Sequence, residues 1–261
     1  MPSSPPAGPM KLLSKKSGVL FFILLLLPVG SKAQEGTWMF SLLGGLSSPS
    51  LTVVNETLDK TIRDWNQIQQ IPVGSIDHFS AAPVFGFRGS YRYDRDIGVT
   101  FSGSFSKQSL NASYRDTAVY LNLDRAVQTT DIMLGLCYYL PPLVFDMEVS
   151  IVVDVGLMFA KAEAESYNTR EEKVGSTTVT VIYYDSEAIY RKTKLIADAG
   201  AIWTWGVLQP FFLKAEVLYR FGNVGKMDGD IRRLQGTIQE QTITDFDFSG
   251  FSATVGIGIL F

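Results

Sequence analysis

The stretch Phe251-Ser-Ala-Thr-Val-Gly-Ile-Gly-Ile-Leu-Phe261 decides how the rest of the sequence is read. Successive side chains of a strand point to opposite faces. Phe251, Ala253, Val255, Ile257, Ile259 and Phe261 therefore share one face, and Ser252, Thr254, Gly256, Gly258 and Leu260 share the other. The first face is apolar. The second is small and mildly polar. A strand of this kind suits an apolar medium on one side and a polar interior on the other.

The same alternation repeats upstream. It predicts strands near 37–46, 83–94, 97–105, 118–140, from 144, 188–205, 211–221 and from 245. It is cleanest where Ile97, Val99, Phe101, Gly103 and Phe105 oppose Gly98, Thr100, Ser102 and Ser104. Three connections are short, at 94–96, 141–143 and 206–210. They alternate with long polar ones at 47–79, 106–117, 163–173 and 222–244. Within the first long connection, 56–70 reads as an amphipathic helix. Leu58, Ile62, Trp65 and Ile68 fall at helical spacing, and Asn55 is placed to cap it.

The composition fits a β-rich folded protein: 46% of residues are hydrophobic, 12% aromatic, and 23 are Gly. Only 19% are charged and no run of like charges occurs, which argues against nucleic acid as a partner. The single cysteine, Cys137, excludes an intrachain disulfide framework. Residues 1–33 read as a Sec-type signal peptide. Lys11, Lys15 and Lys16 precede an apolar stretch at 19–27 that is too short to span a membrane as a helix, and Ser31-Lys32-Ala33 supplies a cleavage site. The leader holds four of the 23 basic residues and none of the 26 acidic ones, so the mature chain, 34–261, carries a net charge of −7. No later stretch is long and apolar enough for a transmembrane helix.

If this chain spans a membrane, strands must do it, and a spanning sheet must close so that every backbone group is paired. The reading is an all-β, antiparallel, up-and-down transmembrane β-barrel of about eight strands. Short turns lie at the periplasmic end and long loops at the cell surface. Trp38, Tyr91, Tyr93, Tyr138, Tyr139, Phe145, Trp203, Trp205, Phe211 and Phe261 cluster near the short turns as an aromatic girdle. The chain resembles the small outer-membrane β-barrels of Gram-negative bacteria, the class of the OmpA transmembrane domain and the OmpW- and OmpX-like barrels. The resemblance rests on the leader, the alternating strands, the loop asymmetry and the ending Ile257-Gly-Ile-Leu-Phe261. It implies the outer membrane as the location, with lipid and lipopolysaccharide as surroundings. It also implies that Phe261 is an assembly signal read by the barrel-assembly machinery.

The opposite faces of the strands collect charge. Arg88, Arg92, Asp131, Glu148, Asp154, Lys194, Asp198, Lys214, Glu216 and Arg220 are all expected to point inward. An eight-stranded barrel is just wide enough for side chains to fill it. Buried charges must pair, so a salt-bridge network that plugs the lumen is expected. The function implied is a structural or surface-interaction role without catalysis or cofactor. The alternative is a narrow transporter for small hydrophobic molecules, which needs a lateral gap in the wall or an apolar interior.

His78-Phe-Ser80 is similar to the His-x-Ser arrangement of outer-membrane lipid A deacylases. Ala81-Ala82-Pro83 follows here, in place of that family's Asn-rich surroundings. Cys137 reads as a small apolar filler on an inner face. Asp228 and Asp230 around Gly229 offer too few ligands for a calcium loop.

Overall fold

The computed structural model describes residues 36–67, 74, 77–116, 119–141, 147–174, 176–233 and 239–261. The leader read over 1–33, Phe145 and most of the turn read at 141–143 lie outside the described residues. So do 68–70 of the expected helix. Among the described residues the strands are β1 (Thr37–Pro49), β2 (Ala82–Arg92), β3 (Ile97–Arg115), β4 (Val119–Tyr139), β5 (Met147–Val174), β6 (Thr177–Leu208), β7 (Phe211–Phe221), β8 (Asn223–Arg233), β9 (Gln239–Asp247) and β10 (Gly250–Leu260). Among these residues one helix, α1 (Thr52–Gln67), lies between β1 and β2.

Eight of the strands form a closed antiparallel ring in the order β1-β2-β3-β4-β5-β6-β7-β10. The paired positions Thr129, Ser106, Val84, Gly45, Thr254, Glu216, Ile202 and Ser150 lead once round the ring. They return to β4 at Tyr139, ten residues from the start. That stagger tilts the strands and leaves an interior only wide enough for side chains. The closing strand joins the first one at the chain's end. Phe261 N donates to Trp38 O at 2.9 Å, and Trp38 N donates to Phe261 O at 3.3 Å.

Outward side chains form an apolar belt. On β5 it runs from Ile151 through Val153, Val155 and Leu157 to Phe159, all exposed. From Ile151 to Phe159, at ~3.3 Å per residue and a tilt of about 40°, the exposed stretch rises ~20 Å, close to the ~25 Å apolar band of an outer-membrane barrel. Trp38, Tyr93, Tyr138, Phe211 and Phe261 are exposed near its periplasmic edge. Tyr139 corrects the expected girdle. Being adjacent to outward Tyr138, it must point inward, and it is buried there with the Arg92 guanidinium 3.7 Å above its ring.

The alternation does not stop at the belt; its polarity inverts. On β3 the outward residues pass from Phe101 and Phe105 to Lys107, Ser109, Asn111, Ser113 and Arg115. The inward ones pass from Thr100, Ser102 and Ser104 to Leu110, Ala112 and Tyr114. Residues 106–115, 163–173 and much of 222–244, expected as loops, are therefore strands. They look polar because water replaces lipid on their outer face. Their small apolar residues Ala112 and Ala164, with the neighbouring Ala160, Ala162 and Ala188, face a second core. β8 and β9 form a hairpin that extends this upper wall by pairing with β6 at Ser186–Arg191. Gly225, at φ +70°, adopts the left-handed conformation that the bulge between β8 and β9 requires.

Helix α1 fills the mouth of the upper wall. Leu58, Ile62 and Trp65, one helical stripe, are buried among Leu121, Leu123, Tyr190 and Phe246. The helix starts at Thr52, earlier than the sequence predicts, so Asn55 lies in its first turn and does not cap it. The Asn55 amide instead clasps the returning chain. Its Nδ2 donates to Phe79 O and its Oδ1 accepts from Phe79 N, both at 2.9 Å.

Candidate functional site: a sealed lumen

The interior has three tiers. At the periplasmic end an apolar cluster joins Met39, Cys137, Tyr139, Val152, Ile202 and Phe212. Cys137 is a buried free thiol in this cluster. Beside it, at the mouth, Arg92 pairs with Glu148, and both are about 30% exposed.

The middle tier is charged. Arg88 donates from Nη1 to Asp154 Oδ2 at 2.7 Å and from Nε to Glu216 Oε1 at 3.0 Å. Lys214 Nζ lies 3.4 Å from the same Glu216 oxygen, and Thr100 donates to Asp154 Oδ1 at 2.5 Å. Ser41 donates to the Arg88 carbonyl at 3.1 Å. A second node centres on Arg220. It holds Asp198 through Nε and Nη2 at 3.0 and 2.9 Å and reaches Asp131 Oδ2 at 2.6 Å, where Ser104 also donates at 2.7 Å. Arg88, Asp131, Asp154 and Glu216 are each at most 3% exposed, so these charges pair with one another across the barrel and not with bulk water, although Asp131 Oδ1 is buried without a hydrogen-bond partner among the described residues.

Seven strands, β1 to β7, supply these groups, and the fold brings them together because each sits on an inward position. Gly135 makes the room. A Cβ there would stand 2.0 Å from Asp154 Oδ1 and 2.3 Å from the Val153 carbonyl. Sequence reasoning missed the hydroxyl partners, Ser41, Thr100 and Ser104. Their inward parity was the available signal.

Above lies the apolar tier under α1. Apart from the Arg92–Glu148 pair at the periplasmic mouth, the lumen is thus charged only through its middle, where the sequence reading has charge filling most of it. Small apolar residues in the strand extensions make the difference. Between the two tiers is a cavity of about 80 Å³, lined by Arg88, Ser104, Gln108, Glu216, Arg220 and Thr254, with room for a few waters.

Lys194 stands apart from the network. It has inward parity but is exposed, because the wall is interrupted there. β6 pairs with β7 only as far as Ala197 and with β8 only from Arg191, which leaves 192–196 without a ladder partner on that side. Lys192 Nζ reaches across to the Lys226 carbonyl at 2.5 Å.

Other motifs form no site. His78 Nε2 is bound to Asp59 Oδ1 of α1 at 2.9 Å, on the surface, and no hydrogen bond joins it to Ser80 among the described residues. Asp228 and Asp230 lie on strand β8. Among the described residues, no group of three or more His, Cys, Asp or Glu is placed to hold a metal ion.

A closed antiparallel ring, an apolar belt facing outward and charges sealed inside define an integral outer-membrane β-barrel. No family model matches the chain, and no curated protein matches it. Among solved structures it is similar to Ail of Yersinia pestis, in complex with the heparin analogue sucrose octasulfate. The identity is 13%, the TM-score 0.42, and the match covers 87% of this chain and 100% of that one. It is similar also to a major outer membrane protein from Thermus thermophilus, at 9% identity and TM-score 0.49, over 86% and 99% of the two chains. A third is the outer membrane protein OprG from Pseudomonas aeruginosa, at 10% identity and TM-score 0.45, over 87% and 96%. These are likenesses of fold and say nothing about role.

Proposed function

We propose that this protein is a non-conducting surface barrel whose working part is the rigid wall it raises above the membrane. The observation that carries this reading is the double seal. The Arg88 and Arg220 nodes close the middle of the lumen, and α1 with its apolar cluster closes the upper mouth. The extension of β3 to β6 well past the belt presents a stiff polar face to partners outside the cell. The membrane half serves as the anchor, with outer-leaflet lipid around it, and Phe261 serves as the signal to the assembly machinery. The test is electrical. Protein reconstituted in a planar bilayer is expected to show no steady current, and a stable open-channel conductance would sink this reading.

A second reading keeps one observation in its favour. The interrupted wall at 192–196 opens beside Ile196, Val224 and Met227 of the apolar tier, at the extracellular edge of the belt. A carrier of small hydrophobic molecules would use such a side opening. Accelerated uptake of an apolar dye into protein-bearing vesicles, abolished by bridging the gap with a disulfide, would favour it over the sealed barrel.

A further inference from the structure

The outer face carries a band of charge that neither the fold nor the seal requires. On each long strand the outward residues turn from apolar to polar at one point. These points are Phe105 to Lys107 on β3, Ile132 to Thr130 on β4, Phe159 to Lys161 on β5 and Leu195 to Thr193 on β6. Lys107 and Lys161 are the first outward side chains past the belt, and Arg191 is the second on its strand. β1 and β10 have no base at this level; their outward faces leave the belt at Ser48 and Phe251. The bases thus form a one-sided arc on β3, β5 and β6.

Just above the arc, a groove of about 400 Å³ runs across the outer face of β3 to β6. Lys107, Asn111, Asp124, Glu163, Glu165 and Glu187 are among its lining. The groove is built. Asp124 Oδ2 accepts from Asn122 Nδ2 at 2.6 Å, and Asp124 Oδ1 accepts from Asn111 Nδ2. Lys161 pairs with Glu163. Lys107 pairs in register with Gln128, Gln128 with Lys161 and Lys161 with Arg191, so the three bases share one row across β3 to β6. The hydrogen bond from Lys161, helped by the charges of Lys107 and Arg191, holds the Glu163 carboxyl below the ordinary range.

We propose that arc and groove together dock the phosphorylated sugar headgroup of an outer-leaflet glycolipid. The acyl chains would lie on the belt below. The phosphate would sit on Lys107, Lys161 and Arg191, where a dianion gains charge-assisted hydrogen bonds. The sugar would occupy the groove, whose carboxylates and amides suit hydroxyl groups and repel phosphate, which keeps the phosphate at the lower edge. The proposal rests on the reading of the belt as lipid-facing and adds a chosen lipid to it.

The test is native mass spectrometry of the full protein, released from micelles holding bisphosphorylated lipid A, dephosphorylated lipid A or phosphatidylglycerol. The phosphorylated glycolipid is expected to be retained about tenfold over either comparison lipid. The triple variant Lys107→Gln, Lys161→Gln, Arg191→Gln is expected to lose that preference while keeping the band shift on boiling that marks a folded barrel. Equal retention of the three lipids, or a triple variant that still prefers the phosphorylated one, overturns the proposal. A measured conductance would sink the sealed-barrel reading and leave this one untouched.

Discussion

Asp154 and Asp198 lie directly opposite each other on β5 and β6, both facing the lumen, and each is held by a different arginine. Like charges in opposite positions of a sheet repel. Here Arg88 draws Asp154 toward Glu216, and Arg220 draws Asp198 toward Asp131. Replacing Arg88 with Ala leaves Asp154 buried without a cation and Glu216 with Lys214 alone, which costs about 3–5 kcal/mol. Urea unfolding in lipid vesicles is expected to show that loss. Arg88→Lys should recover only part of it, because one ammonium cannot reproduce the two-armed contact.

Gly135→Ala tests the room made for Asp154. The added carbon meets the Val153 carbonyl as well as the Asp154 carboxylate, so a side-chain rotation alone cannot relieve it. A loss of about 1–3 kcal/mol is expected. It should read as a lower temperature for the unfolding band shift on gels.

Asn55→Ala tests the clasp on the plug. Both of its hydrogen bonds go to the backbone of Phe79, whose side chain is buried in the upper core. Without them α1 should open and be cut by external protease in intact cells. The membrane ring makes no use of this contact, so the heat-shifted band should persist.

The pH response of Glu163 has a definite sign. Its hydrogen bond from Lys161 lowers its pKa in the folded protein. The stability it contributes is therefore present above the unfolded value, roughly 4.3, and is lost as pH falls through the lower folded value. The pair is substantially exposed, so the effect is small. Carboxyl NMR should find Glu163 ionised below the ordinary range, and Lys161→Gln should return it there.

Phe261 separates signal from structure. Its ring is exposed, while its backbone is bonded to Trp38. Phe261→Ser is expected to lower the amount of folded barrel in cells and to leave refolding in detergent unchanged.

Period two and the belt's side chains were legible along the chain because lipid reads each outward residue independently of its neighbours. The ring of eight and the inward parity of Arg88, Asp154, Glu216 and Arg220 came from the same signal. The extension of β4 was read within 118–140, but those of β3 and β5 were not legible. Past Phe105 and Phe159 the outer face meets water, so Lys107, Ser109, Lys161 and Glu163 read as loop. Tyr139 was misplaced for a simpler reason, since aromatic content was counted without applying parity to neighbours.

Alternation along single strands thus determined the barrel, its belt and the two faces of each strand, because that information is local. Partners across the lumen were decided only by the tertiary structure. Which arginine holds which aspartate, the placing of α1 over the mouth and the exposure of Lys194 at an interrupted wall all depend on register and stagger. Those follow from closing the ring as a whole, and no single strand encodes them.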